Sequence, residues 1–361
     1  VGVIPPLWIY HSLRLGRFQE GTFGHSDSVR TKKIRTVALE KRGGKPVLSS
    51  SVREAVARTV SRGGKALVWV QKTGYASALG CKECGFYYLC PDCEVALRYH
   101  LDLRLLFCPL CGKKVKPHDL CPVCGGSFWE GWGEAIEMVY EEFRRYFPRH
   151  DLRRVDSEIP WRDFTPEVLQ LPGIVVGTSA MLREDLLRRS SLLVVLSFEN
   201  WLYLSDLNAR DEFYGKLHRA LFFLGVDIQS MPQVIIQGSS DSVEKVGHFL
   251  RPWQEFYGES LRKRETLGYP PFRYLVQVVG ESRNKNQCIL VLNALRQIME
   301  ENGIEVTGPF PGTGSRKRGK WTEELNLHFG EERLEEVFNL VVHWMVSSER
   351  GGIKWSLEVE R

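Results

Sequence analysis

Four closely spaced cysteine pairs are the feature that most constrains how this chain can fold. Eight of the nine cysteines fall between residues 81 and 124, and in each pair two residues separate the cysteines. Such a pair places two thiolates one tight turn apart, and two pairs complete the tetrahedral sulfur cage that zinc prefers. The spacing therefore predicts two zinc ions, held by Cys81/Cys84, Cys90/Cys93, Cys108/Cys111 and Cys121/Cys124.

The spacing leaves open how the four pairs combine. We predict a nested arrangement, with zinc 1 at the base of the insert on Cys81, Cys84, Cys121 and Cys124, and zinc 2 at its tip on Cys90, Cys93, Cys108 and Cys111. Sequential pairing is the alternative. Disulfides need an oxidising compartment and do not favour repeated two-residue spacing. Four pairs within 44 residues also argue against a redox site.

Length and composition indicate a folded protein of two or three domains. The chain has 361 residues, of which 43% are hydrophobic and 26% are charged. Its longest apolar runs, residues 191–198 and 220–226, are too short to span a bilayer, so we expect no membrane partner and a cytoplasmic location. The net charge of +5 permits a nucleic-acid partner without requiring one.

Short apolar stretches that alternate with helical patterns predict a parallel α/β layer. The predicted helices span 50–62 and 135–146, and the predicted strands span 66–70, 152–155, 173–176, 192–196 and 233–237. The cysteine-rich segment interrupts this layer after its first strand. We therefore expect an insert, residues 81–125, on a loop of a domain formed by residues 46–80 and 126–250.

The remaining segments lie on either side of this layer. Residues 251–361 predict a small, separate α+β domain, with strands at 275–279, 325–329 and 354–359 and helices at 287–300 and 332–346. Residues 1–45 contain Pro5, Pro6 and a polar, basic stretch. They predict the tail of an upstream element followed by a linker.

A basic stretch lies between predicted strands of the last domain. Four cations occur within five residues, beside an aromatic ring and among glycines. Cations neutralise phosphates, and an aromatic ring can stack on an unpaired base. We predict that this stretch binds DNA through Arg316, Lys317, Arg318, Lys320 and Trp321. A solvated run of charge is the alternative.

Several short motifs lie outside the cysteine pairs: Gly74-Tyr75, Phe147-Pro148, Val176-Gly177-Thr178, Ile236-Gln237, and Leu-Gly-Tyr-Pro-Pro-Phe at 267–272. With the cysteine spacing, they resemble the primosomal protein N′ family, the PriA replication-restart helicases. The resemblance covers nearly the whole chain. It implies a second RecA-like helicase lobe that carries the two-zinc insert, followed by the family's C-terminal domain. Residues 1–45 would then be the end of the first lobe and a linker.

Several positions depart from the family's pattern. The family's Gln-x-x-Gly-Arg-x-Gly-Arg motif places two arginines near the γ-phosphate of ATP, and here Phe223 and Val226 occupy those positions. Apolar side chains cannot stabilise charge on a transferring phosphoryl group, and we expect both to pack within the lobe instead. Ser179-Ala180 and Arg183-Glu184 replace the family's Gln-Met and Lys-Gly. No Gly-x-x-x-x-Gly-Lys-Ser/Thr sequence occurs either, so we expect degenerate helicase motifs and no ATP cofactor.

Together, these features predict a replication-restart protein that binds forked or single-stranded DNA and organises primosome assembly. Its cofactors would be two zinc ions, and its protein partners would be replication-restart and single-strand-binding proteins. Two alternatives stay open. One is the C-terminal part of an active ATP-dependent 3′-to-5′ helicase, and the other is a zinc-dependent protein-interaction module that does not bind DNA.

Overall fold

The structure is a computed structural model, and it describes residues 7–15, 33–38, 48–71, 79–81, 83–84, 86–92, 96–100, 104–108, 111–127, 129–131, 136–156, 170–202, 207–228, 232–317, 320–348 and 353–360. These residues form a parallel α/β layer, a cysteine-rich insert and a C-terminal antiparallel sheet with helices. The predicted fold class is confirmed.

Fifteen strands occur among the described residues: β1 (Lys33–Ala38), β2 (Lys65–Trp69), β3 (Leu79–Cys81), β4 (Arg98–His100), β5 (Leu105–Phe107), β6 (Lys114–Val115), β7 (Trp129–Gly131), β8 (Leu152–Val155), β9 (Gly173–Gly177), β10 (Leu192–Val195), β11 (Gln233–Gly238), β12 (Tyr274–Ser282), β13 (Glu305–Lys317), β14 (Lys320–Phe329) and β15 (Lys354–Glu360). The α-helices described are Leu7–Arg14, Ser50–Ser61, Ile136–Tyr146, Glu184–Arg188, Glu199–Leu202, Ala209–Phe223, Ser240–Glu244, Trp253–Leu267, Lys285–Glu301 and Leu334–Ser348.

The α/β layer is a six-stranded parallel sheet in the order β1-β11-β10-β2-β9-β8. Strands β2, β9 and β10 are buried along their whole length, which explains their continuous apolar sequences. The helix Ser50–Ser61 covers one face with its buried residues Val52, Ala55, Val56 and Val60. The Ser49 side chain caps its first turn, and Gly63, at φ +74°, follows its end.

The edge strand β1 was not predicted from the sequence. It lies in the stretch that we interpreted as a linker, yet it pairs in parallel with β11 along all six residues. Ile34 and Val37 are its only half-buried residues, and its polar positions face solvent. The hydrophobic pattern of this exposed edge was too weak to indicate a strand.

The helix Trp253–Leu267 packs into the core of the α/β layer through Phe256, Tyr257 and Leu261. Within it, Arg264 forms a buried ion pair with Asp211, with 2.5 Å between nitrogen and oxygen. Arg264 also donates to the Pro270 carbonyl oxygen at 3.0 Å. This helix therefore connects the layer to the C-terminal sheet, whose predicted start at residue 251 stays a prediction.

The C-terminal sheet is antiparallel, in the order β13-β14-β12-β15. The helices Lys285–Glu301 and Leu334–Ser348 share its main apolar core. Strand β13 was missed because glycines and prolines interrupt its pattern, and its pairing with β14 shifts register between Thr307 and Phe310. Among the described residues, none of the helices has the length and apolar character of a bilayer-spanning segment.

Candidate metal centres and basic hairpin

The outer cysteine pairs meet in one compact group of four sulfurs. The Sγ atoms of Cys81, Cys84, Cys121 and Cys124 all lie within 4.8 Å of one another. Two of these separations, Cys81 to Cys124 and Cys84 to Cys121, are 3.6 Å. Zinc–sulfur bonds of about 2.3 Å in a tetrahedron require sulfurs about 3.8 Å apart. The group therefore fits a tetrahedral metal ion.

Backbone hydrogen bonds shape the loops that present these sulfurs. The N–H of the first cysteine in three pairs donates to the carbonyl oxygen five residues later: Cys81 to Phe86 at 2.8 Å, Cys108 to Lys113 at 2.9 Å and Cys121 to Gly126 at 2.7 Å. Gly112 and Gly125 have φ of +70° and +73°, a conformation that glycine adopts without steric cost. The three loops thus share one backbone hydrogen bond, and in two of them a glycine with positive φ follows the pair.

The outer group has the electrostatics of a cation site. Burial and the neighbouring thiols raise the pKa of Cys81 and Cys84, while N–H donors from the same loops oppose that shift. Burial also acts to raise the pKa of Cys121, but N–H groups of Cys124 and Val123 and the neighbouring thiols bring it below the ordinary value. A divalent cation would stabilise all four thiolates together.

A second group contains three of the four inner cysteines. The Sγ atoms of Cys90, Cys108 and Cys111 lie within 4.8 Å of one another, and Cys90 and Cys111 are 3.7 Å apart. Cys93, the predicted fourth ligand, lies outside the described residues.

The two groups follow the nested arrangement. Cys81 and Cys84 lie with Cys121 and Cys124, whereas sequential pairing would place them with Cys90. The described cysteines are free thiols, so the disulfide alternative is not the arrangement found. That these cysteines bind zinc stays a prediction.

The insert packs against both larger parts of the chain. Its strands β3 and β7 pair at the base, and β4, β5 and β6 form a small sheet nearer the tip. One apolar cluster joins Leu106 and Cys108 of the insert to Tyr269 and Leu275, with Leu207 packed at its margin. The inner cysteine group is therefore held against the C-terminal sheet.

The basic stretch forms the end of the β13–β14 hairpin. Arg316 lies opposite Trp321 in the ladder, and Lys317 lies opposite Lys320. Lys320 is exposed and Trp321 is half-buried, whereas Arg318 lies outside the described residues. The hairpin therefore brings four of the five predicted residues together, and their contact with DNA stays a prediction.

Two residues that sequence reasoning missed lie beside this hairpin. Lys285 Nζ is 5.0 Å from the centre of the Trp321 ring and 3.8 Å from Oε1 of Glu323. Burial raises the pKa of Glu323 to about 7, the Lys285 ammonium opposes the shift, and the Glu324 carboxylate adds to it. Sequence carries no signal for this cluster, because only the register of β12 and β14 brings residues 285 and 321 together.

The two positions of the family's arginines differ in their surroundings. Phe223 is buried, with the guanidinium groups of Arg188 and Arg219 over its ring at 5.5 and 5.7 Å. Val226 is 49% exposed, so the expectation that both apolar side chains pack within the lobe is wrong for Val226. The reason is local: Val226 lies in the turn after the helix Ala209–Phe223, next to Gly225 at φ +70°.

An open groove of about 600 Å³ adjoins Phe223. Charged side chains form most of its lining: Arg183, Glu184, Asp185, Arg188, Arg189, Arg219 and Asp227. Arg188 pairs with Glu184 at 2.9 Å and with Asp227 at 3.2 Å, and Arg183 pairs with Asp185 at 3.4 Å. Much of the positive charge in the groove is therefore already compensated.

No protein-family model matches the chain, whereas individual curated proteins do. The replication restart protein PriA of Thermotoga maritima is 25% identical over 332 residues, which are 89% of this chain and 44% of that protein. The probable replication restart protein PriA of Deinococcus radiodurans is 27% identical over 298 residues, 81% of this chain and 32% of its own length. The replication restart protein PriA of Borreliella burgdorferi is 23% identical over 322 residues, 84% of this chain and 47% of its own length.

The chain thus spans less than half the length of each of these relatives. The resemblance predicted from the motifs is confirmed: over most of its length, this chain is similar to part of the replication restart protein PriA.

Proposed function

We propose that this chain is a replication-restart protein that binds forked or single-stranded DNA and organises primosome assembly. Similarity to PriA proteins over 81–89% of the chain supports the replication-restart role. The observation that carries DNA binding is the β13–β14 hairpin, whose end gathers Arg316, Lys317, Lys320 and Trp321. Replication-restart and single-strand-binding proteins as partners, and a cytoplasmic location, belong to the same proposal.

Zinc is the metal we propose for both cysteine groups. Thiolate sulfurs at tetrahedral spacing suit zinc, and Cys93 would complete the inner set. Bound zinc would keep the sulfurs deprotonated and would hold the loop-rich insert in its folded form. With four sulfur ligands each, both ions would be structural, because no position stays open for a substrate.

In this proposal the chain neither hydrolyses ATP nor unwinds duplex DNA. Phe223 presents no charge to a phosphoryl group, and no phosphate-binding glycine motif occurs in the sequence. An active helicase is the second candidate, since Arg188 and Arg219 lie within 6 Å of the Phe223 ring centre. DNA-stimulated ATP hydrolysis that is abolished by Arg219→Ala would favour the helicase. If the chain is instead a zinc-dependent interaction module, we expect neither ATP hydrolysis nor DNA binding.

Fluorescence anisotropy with a labelled DNA fork tests the DNA-binding role. Replacing Arg316, Lys317, Arg318 and Lys320 with alanine should weaken binding and flatten its salt dependence by roughly 3 units, at about 0.7–0.9 per lost phosphate contact. A control should change four exposed arginines and lysines of the α/β layer: Arg58, Arg62, Arg145 and Lys245. Equal affinity and slope for the wild type and the hairpin variant would refute the role of the hairpin.

A further inference from the structure

One end of the C-terminal sheet collects cations from segments far apart in sequence. Because the four strands are antiparallel, β12 and β13 finish at the end where β14 and β15 begin. Ser282 of β12 lies opposite Trp321 of β14, and Glu281 lies opposite Lys354 of β15. Residues beyond the hairpin are thereby brought to the same end of the sheet.

Three cations occupy this end in addition to those of the hairpin. Arg283 follows the last residue of β12, Lys285 begins the next helix, and Lys354 begins β15. Arg283 and Lys354 are exposed, and neither forms an ion pair with another residue in the described part of the chain. Their charges are therefore open to a ligand in solvent.

Lys285 is held in place by its neighbours. Its ammonium lies over the Trp321 ring at 5.0 Å and is 3.8 Å from the Glu323 carboxylate. A cation over an aromatic face gains electrostatic attraction from the ring. Its side chain is 25% exposed, so the charge lies beside the ring and still reaches solvent.

Acidic groups at this end do not cancel the positive charge. Glu281 lies across from Lys354, and Glu323 is 1% exposed beneath Lys285. Glu324 follows Glu323 in β14 and is also buried. Against these three carboxylates stand Arg283, Lys285, Lys354 and the cations of the hairpin. The end of the sheet is therefore net positive.

We propose that Arg283, Lys285 and Lys354 extend the hairpin into one phosphate-binding track across the end of the sheet. The inference rests on the proposed DNA-binding function. Three gaps between strands of about 4.8 Å give a width of about 14 Å. One strand of a duplex carries one phosphate per about 3.4 Å of helix axis, so a track that lies along the axis matches about four steps. The partner is thus a DNA backbone that continues past the base stacked on Trp321.

The test compares three variants of the 361-residue chain for binding to a DNA fork with one single-stranded arm. The first is Arg283→Gln/Lys285→Met/Lys354→Gln, in which methionine keeps an apolar stem over Trp321. The second, Arg283→Gln/Lys354→Gln, changes only exposed side chains and keeps Lys285, which guards against misfolding. The control, Arg58→Gln/Arg62→Gln/Lys245→Gln, removes three exposed cations from the α/β layer.

The triple variant at the sheet end should lower the salt slope by about 2 to 3 units, and the double variant by about 1.5. Between 50 and 200 mM salt, the wild type should then lose about 20- to 40-fold more affinity than the triple variant. The control should keep the wild-type slope. Wild-type slopes in both sheet-end variants, with a reduced slope in the hairpin variant, would overturn the track and leave the proposed function intact. A wild-type chain that does not bind the fork would overturn both.

Discussion

The buried carboxylate beneath Lys285 makes stability depend on pH in a direction opposite to that of most ion-paired acids. Burial raises the pKa of Glu323 from its ordinary 4.5 to about 7. The folded chain therefore keeps a proton on Glu323 between these pH values, while the unfolded chain has released it. Because the unfolded state binds fewer protons in this window, the free energy of unfolding falls as pH rises from 4.5 to 7.

The size of the effect follows from the shift. About 2.5 pKa units, at 1.36 kcal/mol each, correspond to about 3 kcal/mol lost between pH 4.5 and pH 7. Glu323→Gln keeps the shape of the side chain and removes the titration. The variant should be more stable than the wild type by up to about 3 kcal/mol at pH 8, and the two should differ little at pH 4.5.

Urea unfolding at these two pH values measures the difference in stability between the wild type and Glu323→Gln. The contributions of the other titrating groups cancel, because both proteins contain them. Lys285→Met provides the opposite control. Without its ammonium, the Glu323 pKa should rise further and the loss of stability with pH should grow. An identical pH dependence in the wild type and Glu323→Gln would refute the reasoning.

Three further predictions concern other parts of the chain. Elemental analysis of the wild type should return two zinc equivalents, and Cys84→Ser should retain one. The matched control Cys288→Ser changes a buried cysteine outside both groups and should retain two. Close to two equivalents in Cys84→Ser would contradict the assignment. Asp211→Asn should cost about 3–5 kcal/mol of stability, because it leaves Arg264 buried without its counter-charge, and a loss under 1 kcal/mol in denaturant unfolding would count against this. Trp321→Ala should weaken binding to single-stranded DNA by about 1–3 kcal/mol and should lower the salt slope by no more than about 0.9, the share of the single cation Lys285 that lies over the ring; a larger change would show that the ring does not act by stacking.

The sequence alone predicted the elements whose patterns are strong. The helix Ser50–Ser61 and the buried strands β2, β9 and β10 have uninterrupted apolar faces, and each was located to within two residues. The cysteine pairs were also informative, because the two-residue gap within each pair fixes the local turn and so brings its two sulfurs together. Periodicity and spacing are local properties of the sequence, so they can be recognised without knowledge of the tertiary structure.

Other features depend on contacts between distant segments, and the sequence did not reveal them. Strand β1 was missed because its own hydrophobic pattern is weak, and its backbone is held as a strand by the parallel pairing with β11. The contact of Lys285 with Trp321 exists only because β12 and β14 pair in one register. Val226 is exposed because it lies in a turn. The alternation of helical and strand patterns in the sequence did not indicate where that turn is.

Photo-crosslinking of a DNA fork tests the central claim most directly, because it reports which residues lie against the DNA. A photoreactive base placed in the single-stranded arm should crosslink to the peptide that contains Trp321, and the hairpin variant should lose that crosslink. Crosslinks confined to the cysteine-rich insert, residues 81–125, would contradict the account and would make the insert the surface that binds DNA.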